Sequence, residues 1–311
     1  MSMSPRVTES STRTRTMASL QRNLGRTQEA MDQISSGKQL RRPSDSPTGT
    51  VTALQLRGEV RANKKYSVNA DDAMGRLGTV QDTLQSVTDR LQKVRQLTLE
   101  ASSSGGQSTP EANRARAVEI EQIKGTLVQY ANTKYLDRPV FGGSTPDATA
   151  YTTGGTYEGE IAGETLRAIG PNAKVRVEVR GPEVFGEEVV QDENGNDVTN
   201  EAQLFRVLDR LSTAMREGDY KTIQTGLENL DKATEIVKST LSDVGARYNR
   251  VTQMKQSAED RLMSVSSQLS DIEDVDLPKA IMELQLQQTS YQAALAATAK
   301  VIQPSLIDFL R

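Results

Sequence analysis

Between Tyr220 and Ile272 the apolar residues recur in alternating steps of three and four. The positions are Tyr220, Ile223, Leu227, Leu230, Thr234, Val237, Leu241, Val244, Tyr248, Val251, Lys255, Ala258, Leu262, Val265, Leu269 and Ile272. Fourteen of the sixteen are apolar or Tyr, with Thr234 and Lys255 the exceptions. A stripe that keeps this step over seven heptads specifies one long helix with a coiled-coil seam. At about 1.5 Å per residue the helix is roughly 80 Å long, a length that a compact catalytic domain seldom needs.

A second run answers it upstream. Tyr66, Ala70, Ala73, Leu77, Val80, Leu84, Val87, Leu91 and Val94 keep the same alternation. Ser46-Pro47 supplies an N-cap and a first-turn proline for that helix. Gly58, Gly75 and Gly78 weaken it, so a bend or a tight packing contact is expected there. Ser102-Ser103-Ser104-Gly105-Gly106 ends it, and Thr109-Pro110 restarts a shorter helix with Ile120, Ile123, Leu127 and Tyr130 on one stripe. The two form an antiparallel hairpin against which the downstream helix can pack. Gly226 and Gly245 lie off the seam, each at a cost of about 1 kcal/mol relative to Ala.

Between the helical regions the period changes to two. Lys174 to Arg180 alternates strictly, and Gly170-Pro171 and Gly181-Pro182 bracket it as turns. Asn194-Gly195 is a hairpin-turn candidate. A helix through Leu204, Leu208 and Leu211 leads out and stops near Gly218. The fold class is therefore mainly α: a long coiled-coil-like bundle rod made by the N- and C-terminal segments, with a small β-rich outer insertion. The expected division is 1–44 with 273–311 as a terminal helical inner (assembly) domain, 45–140 with 201–272 as the helical rod, and 141–200 as the insertion.

The two ends carry narrower stripes. Met17, Leu20, Leu24, Met31 and Ile34 fall at seam spacing, interrupted by a polar turn at Thr27-Gln28. The last helix begins near Asp276-Leu277-Pro278 and shows Ile281, Leu284, Tyr291, Leu295 and Ile302, with Gln288 and Thr298 also on its seam. Pro304 should end or kink it. A lone pair of such helices buries little apolar surface and is marginal, so neighbours rather than the monomer are expected to hold these ends.

Composition removes most chemistry. The chain of 311 residues has no His, no Cys and no Trp. Without imidazole or thiol, Ser-His-Asp and Cys-His sites cannot be built, disulfides cannot form, and a metal would find only oxygen ligands. No Gly-rich phosphate loop is present, and no cofactor is expected. Asp192-Glu193-Asn194-Gly195-Asn196-Asp197 has neither the sixth-position Gly nor the twelfth-position Glu of a calcium loop. Glu187-Glu188 and the Asp271, Glu273, Asp274, Asp276 group read as solvated acidic faces. No apolar run reaches the roughly 18 residues of a membrane span, and the first residues lack the apolar core of a secretory signal. Residues 1–42 carry a net charge of +5 and residues 142–201 a net of −8. The basic arm has no aromatic residue before Tyr66 on which bases could stack, so no nucleic-acid partner is expected.

Three groups of residues then carry a resemblance. Ile34-Ser35-Ser36-Gly37-Lys38 through Arg42-Pro43-Ser44-Asp45-Ser46-Pro47 resembles the N-terminal signature of the bacterial flagellin and hook-associated family. Asn132-Thr133-Lys134-Tyr135 followed by Phe141-Gly142-Gly143 is similar to that family's exit into its variable outer domain. Ser290-Tyr291-Gln292-Ala293-Ala294-Leu295 and Gln303-Pro304-Ser305-Leu306-Ile307-Asp308-Phe309-Leu310 resemble its hook–filament junction branch. The resemblance spans about 1–143 and 200–311. It implies a non-catalytic structural adaptor, secreted through the flagellar type III export channel and placed at the hook–filament junction. It also implies partners: the first hook-associated protein, flagellin, a ring of identical subunits, and an export chaperone on the C-terminal helix. The candidate assembly contacts are Leu20, Leu24, Met31, Ile34, Ile281, Leu284, Tyr291, Leu295, Ile302, Leu306, Phe309 and Leu310. A minor flagellin is the alternative within the family. A signalling coiled coil is a more distant reading, opposed by the β insertion, and an enzyme the most distant.

Overall fold

The structure, a computed structural model, describes residues 9–103, 109–145, 149–161, 163–191 and 197–302. Its elements run α1 (Glu9–Ser36), α2 (Pro47–Ser103), α3 (Pro110–Ala131), β1 (Lys134–Tyr135), β2 (Arg138–Pro139), β3 (Leu166–Ala168), β4 (Lys174–Arg176), α4 (Gly181–Phe185), β5 (Val189–Gln191), β6 (Asp197–Thr199), α5 (Leu204–Glu217), α6 (Tyr220–Glu273) and α7 (Leu277–Ile302). The chain divides into two units, 62–261 and 1–61 with 262–311, and α2 and α6 contribute to both.

In the unit 62–261 the heptads become a narrow seam, two residues per heptad on α2 and one large apolar residue per heptad on α6, with Gly226, Ala233 and Thr234 buried beside it. Ile223, Leu230, Val237, Val244 and Val251, seven apart on α6, are fully buried, whereas Leu227, Leu241 and Tyr248 on the alternate step are half-covered. From α2, Leu77, Leu84 and Leu91, with Ala70, Ala73, Val80, Val87 and Val94, join the same cluster. Ile120 and Leu127 of α3 and Leu208 and Leu211 of α5 complete it, α3 packing on α5. Thr109 accepts the Ala112 N–H at the start of α3, with Pro110 in the first turn. Gly218 ends α5 at φ 74°, its N–H bonded to the Ala214 carbonyl.

Five of the twelve aromatic side chains gather where the insertion leaves the helices. Phe185 has Phe141, Tyr151 and Phe205 as ring neighbours at 5.3–5.5 Å, and Tyr157 extends the group from Tyr151. Asn132, just past α3, organises this exit. Its carbonyl oxygen accepts the N–H groups of Ala150 (2.7 Å) and Tyr151 (2.9 Å), and its amide donates to the carbonyls of Val128 and Tyr151. The β content is three antiparallel two-stranded ribbons: β1–β2, β3–β4 and β5–β6. Two residues, Leu136 and Asp137, join β1 to β2, both at positive φ (49° and 60°), as a two-residue hairpin turn demands. Asn194-Gly195, between β5 and β6, lies outside the described residues.

Two expectations need correction. In the segment 174–180 the valines at 175, 177 and 179 point inward, but so does Glu178, which is fully buried. Only Lys174–Arg176 pairs as a strand, so the segment leaves the ladder before Glu178 and the alternation no longer sets which side is inward. Arg176 Nε lies 3.8 Å from the Glu178 carboxylate, and Arg247 donates to the Glu178 carbonyl. The second correction concerns the glycines. A Cβ on Gly226 would lie 2.5 Å from Cδ2 of the buried Leu211, so Gly226 is what lets α5 lie against α6. Gly75 is likewise covered by the ring of Tyr135, while Gly245 and Gly58 face open space. The two glycines of α6 therefore respond in opposite directions. Gly245→Ala should stabilise the chain by about 1 kcal/mol, and Gly226→Ala should destabilise it by about 1–3 kcal/mol, both read from urea unfolding.

Candidate assembly site

The unit formed by 1–61 with 262–311 has a thin core and a polar joint. At the joint the two terminal helices meet the long ones. Gly37 leaves α1 in the left-handed region (φ 67°), which turns the chain so that Lys38 lies antiparallel to Asp274. The Gln39 N–H donates to the Glu273 carbonyl (2.7 Å) and the Val275 N–H to the Gly37 carbonyl (3.0 Å). Lys38 Nζ reaches Asp274 Oδ1 at 2.5 Å and Glu273 at 3.5 Å. Arg57 Nε sits 2.6 Å from Glu273 Oε1, so this almost fully buried carboxylate has two cations. Asp45 accepts the backbone N–H groups of Arg41 and Arg42, Arg41 pairs with Asp32, and Ser46 Oγ accepts the Gly49 N–H to cap α2. Asp276 does the same for α7 by accepting from Lys279. Gly37, Lys38, Gln39, Arg41, Asp45 and Ser46 thus each have a task at this joint.

Beyond the joint, α1 packs on α7. The buried line on α1 passes through Leu20 and Ala30, with Asn23, Thr27 and Ile34 half-covered; on α7 it passes through Ala280, with Leu284, Gln287, Tyr291, Ala294 and Thr298 half-covered. Helix α1 runs through Thr27-Gln28 without the interruption expected there, since the Thr27 hydroxyl donates to the Asn23 carbonyl and the residue takes a place in the packed line. The sequence-derived contact residues split between two faces. Leu20, Ile34, Leu284 and Tyr291 serve the α1–α7 packing. Leu24, Met31, Ile281 and Leu295 stay exposed, together with Met17, Leu277, Met282 and Leu286. Met17, Leu24 and Met31 are seven apart and form a second stripe flanking the first. Ile302 ends α7, and Leu306, Phe309 and Leu310 lie outside the described residues.

The acidic groups read as solvated faces include a buried one, Glu273, and several have structural partners. Glu273, Asp274 and Asp276 hold the joint, and Glu188 accepts the Tyr157 N–H. Among the described residues no three carboxylates cluster as metal ligands, and no helix is long and apolar enough to cross a membrane. The arrangement can bind other polypeptide through exposed apolar stripes on a fixed pair of helices. Lys38, Asp45, Glu273 and Asp274 were not picked out from the sequence as a unit. The available signal was a Gly-Lys pair ending one stripe and an acidic pair ending another.

Family comparisons agree with this geometry. Residues 8–143 match the bacterial flagellin N-terminal helical region, and residues 227–310 the bacterial flagellin C-terminal helical region. The chain belongs to the bacterial flagellin family. Among its relatives, flagellar hook-associated protein 3 of Escherichia coli (strain K12) is 24% identical over 284 residues, covering 86% of this chain and 87% of that one. The flagellin of Bacillus subtilis (strain 168) is 25% identical over 301 residues, covering 93% of each. The fold is that of solved FlgL-type structures. Bacillus cereus FlgL aligns with a TM-score of 0.57 at 21% identity over 70% of this chain and 99% of its own. A flagellar hook-associated protein of Vibrio parahaemolyticus aligns at 0.62 and 17%, over 74% and 100%.

In this flagellin-family chain the joint has a defined pH window. Bonds from Lys38, then Ser270, hold the Asp274 carboxyl below its usual range, and the Asp274 hydrogen bond raises Lys38 above 10.5. A depressed carboxyl contributes stability that is present above about pH 4 and is lost as the pH falls through its folded value. The raised lysine loses its contribution only as the pH climbs past 10.5. Acidification from pH 7 should therefore open the joint, seen as faster protease cleavage and hydrogen exchange in 37–46. Lys38→Met should raise cleavage at neutral pH and flatten that acid dependence.

Proposed function

We propose that the chain is a non-catalytic junction subunit of the flagellum, joining the hook-associated region to the flagellin filament. The observation that carries this reading is the terminal helix pair: rigidly joined at one end, covered on one line, and left with exposed apolar stripes on α1 and α7. An isolated molecule gains nothing from such stripes, whereas adjoining copies bury them at about 25 cal/mol per Å². In this reading 1–44 with 273–311 forms the inner assembly layer, 45–140 with 201–272 the helical rod, and 141–200 the outward insertion. Identical copies form a ring between the first hook-associated protein and flagellin. The chain leaves the cell by flagellar type III export, with a chaperone covering the C-terminal helix until assembly. Absence of His and Cys from the sequence agrees with a purely structural task. The junction role over the filament role is supported by the Gln303-Pro304-Ser305-Leu306-Ile307-Asp308-Phe309 ending and by the hook-associated relatives.

A second reading, a minor flagellin, is favoured by flagellin relatives of equal identity. Polymerisation separates the two. A purified junction subunit stays monomeric or forms rings, and a flagellin grows long filaments alone. Deleting the gene should leave hooks without filaments and monomeric flagellin in the medium, and normal filaments would refute the junction role. Removing 277–311 should abolish incorporation while the circular dichroism and melting of the remaining helices persist.

A further inference from the structure

The hairpin tip Leu136-Asp137 combines two anomalies. Both residues hold positive φ, where a side chain is strained and Gly or Asn is the cheap choice. Leu136 is also 75% exposed, the joint highest value among the large exposed hydrophobic side chains described. Strain and exposure at one leucine are both unfavourable in the lone chain, so both need a return from outside it. Asp137 beside it is exposed, and among the described residues no ion pair holds its carboxylate.

The other unit offers a matching recess. A cleft of about 240 Å³ is lined by Leu40, Pro43, Ala53 and Leu54 together with Thr50, Arg41, Arg42, Arg57 and Glu273. An apolar cavity of about 150 Å³ admits a benzene-sized group, so the cleft has room for a leucine side chain. Leu54 is exposed, so the apolar floor is open. Arg41 is taken by Asp32 and Arg57 by Glu273, which leaves the exposed guanidinium of Arg42 outside any ion pair among the described residues. The cleft thus offers apolar side chains beside the already paired Arg57 and Glu273, with Arg42 as its cation outside any described ion pair, and the tip is one leucine followed by one carboxylate.

We propose that Leu136 of one copy seats in the Leu40–Pro43–Leu54 cleft of an adjoining copy, with Asp137 against Arg42. Leu136 is uncovered in its own chain, and the cleft with its Arg42 cation is carried by the same sequence as the Leu136-Asp137 tip, so a second copy supplies both halves of the contact. The inference rests on the reading that copies adjoin in the assembled structure. It adds a lateral contact independent of the terminal stripes.

Cysteine cross-linking tests it cleanly, because the chain has no cysteine of its own. In assembled structures from cells, chains carrying both Leu136→Cys and Leu54→Cys should oxidise to multimers, and either single variant should stay monomeric. Normal assembly without multimers overturns the contact and leaves the junction reading standing. A cross-link from position 136 to flagellin or another hook-associated protein also overturns it. If the wild-type chain joins no multimeric structure, the junction reading falls, and this contact with it. Leu136→Gly supplies a second readout. It should raise the Tm of the isolated chain by about 2 °C through relief of the left-handed strain, yet lower the amount of the chain incorporated into assembled structures in cells about tenfold. Unchanged incorporation would overturn the proposal. Asp137→Arg should weaken incorporation similarly, and adding Arg42→Asp should restore it; a double variant as weak as the single removes the Asp137–Arg42 pairing.

Discussion

A narrow buried seam is the constraint on which the helical unit depends. Ile223, Leu230, Val237, Val244 and Val251 form a fully buried line on α6 with Gly226, Ala233 and Thr234 buried beside it, and α2 buries two residues per heptad from Ala70 to Val94. Two lines of this kind align helices and fix their register, but they enclose no thick interior. Long helices with narrow seams bury a smaller share of their surface than a globule of the same length. Further burial is supplied by α3 and α5 and by the aromatic group around Phe185. Gly226 belongs to the same economy of space: α5 can contribute Leu211 to the seam only because nothing projects from α6 at that level.

Charge does work along the helices that apolar contact does not. Arg95 grips Asp231 with two nitrogens, Lys255 reaches Asp71, and Arg167 of β3 holds Asp72 of α2. Such exposed pairs contribute little stability each, about 0–1 kcal/mol. Their use is in register and orientation. Asp72–Arg167, with Asn69 donating to the Ala168 carbonyl and Thr240 to the Glu183 carbonyl, ties the insertion to both long helices. The buried Glu178 among arginines follows a different rule. Its desolvation is costly, so it is retained for the placement it enforces rather than for net stability.

The long-period features were legible in the sequence because they are repeated. Seven heptads, a Ser-Pro start, a Thr-Pro start and a Gly stop each rest on local rules, and α2, α3, α5 and α6 begin or end where those residues stand. The features that were not legible depend on who lies opposite. Gly226 and Gly245 look alike in the chain and differ only because Leu211 faces one of them. Leu24 and Met31 share the spacing of Leu20 and Ile34, yet a shift of one residue on a helix rotates a side chain by about 100°, and the α7 partner selects the line through Leu20 and Ala30. Glu178 falls on the predicted outer face of a strand that stops before it. The joint was readable only as a motif, since Lys38 and Asp274 are far apart in the chain and their meeting is a fact of three dimensions.

The chemistry of that joint bears on what the terminal helices can do. A corner between helices can be fixed by burying apolar side chains or by pairing charges and backbone groups. Here it is fixed by Lys38, Arg57, Glu273 and Asp274 together with the hydrogen bonds of Gln39 and Val275. A polar corner sets direction through hydrogen-bond geometry and consumes almost none of the apolar surface of α1 and α7. The apolar side chains of Met17, Leu24, Met31, Ile281 and Leu295 therefore stay exposed. An apolar corner would have drawn those same residues inward and satisfied them within one molecule. In the proposed assembly, ends that stay unsatisfied until other copies arrive are best joined by groups that water does not drive together, and that is the composition found at residues 37–46 and 273–276.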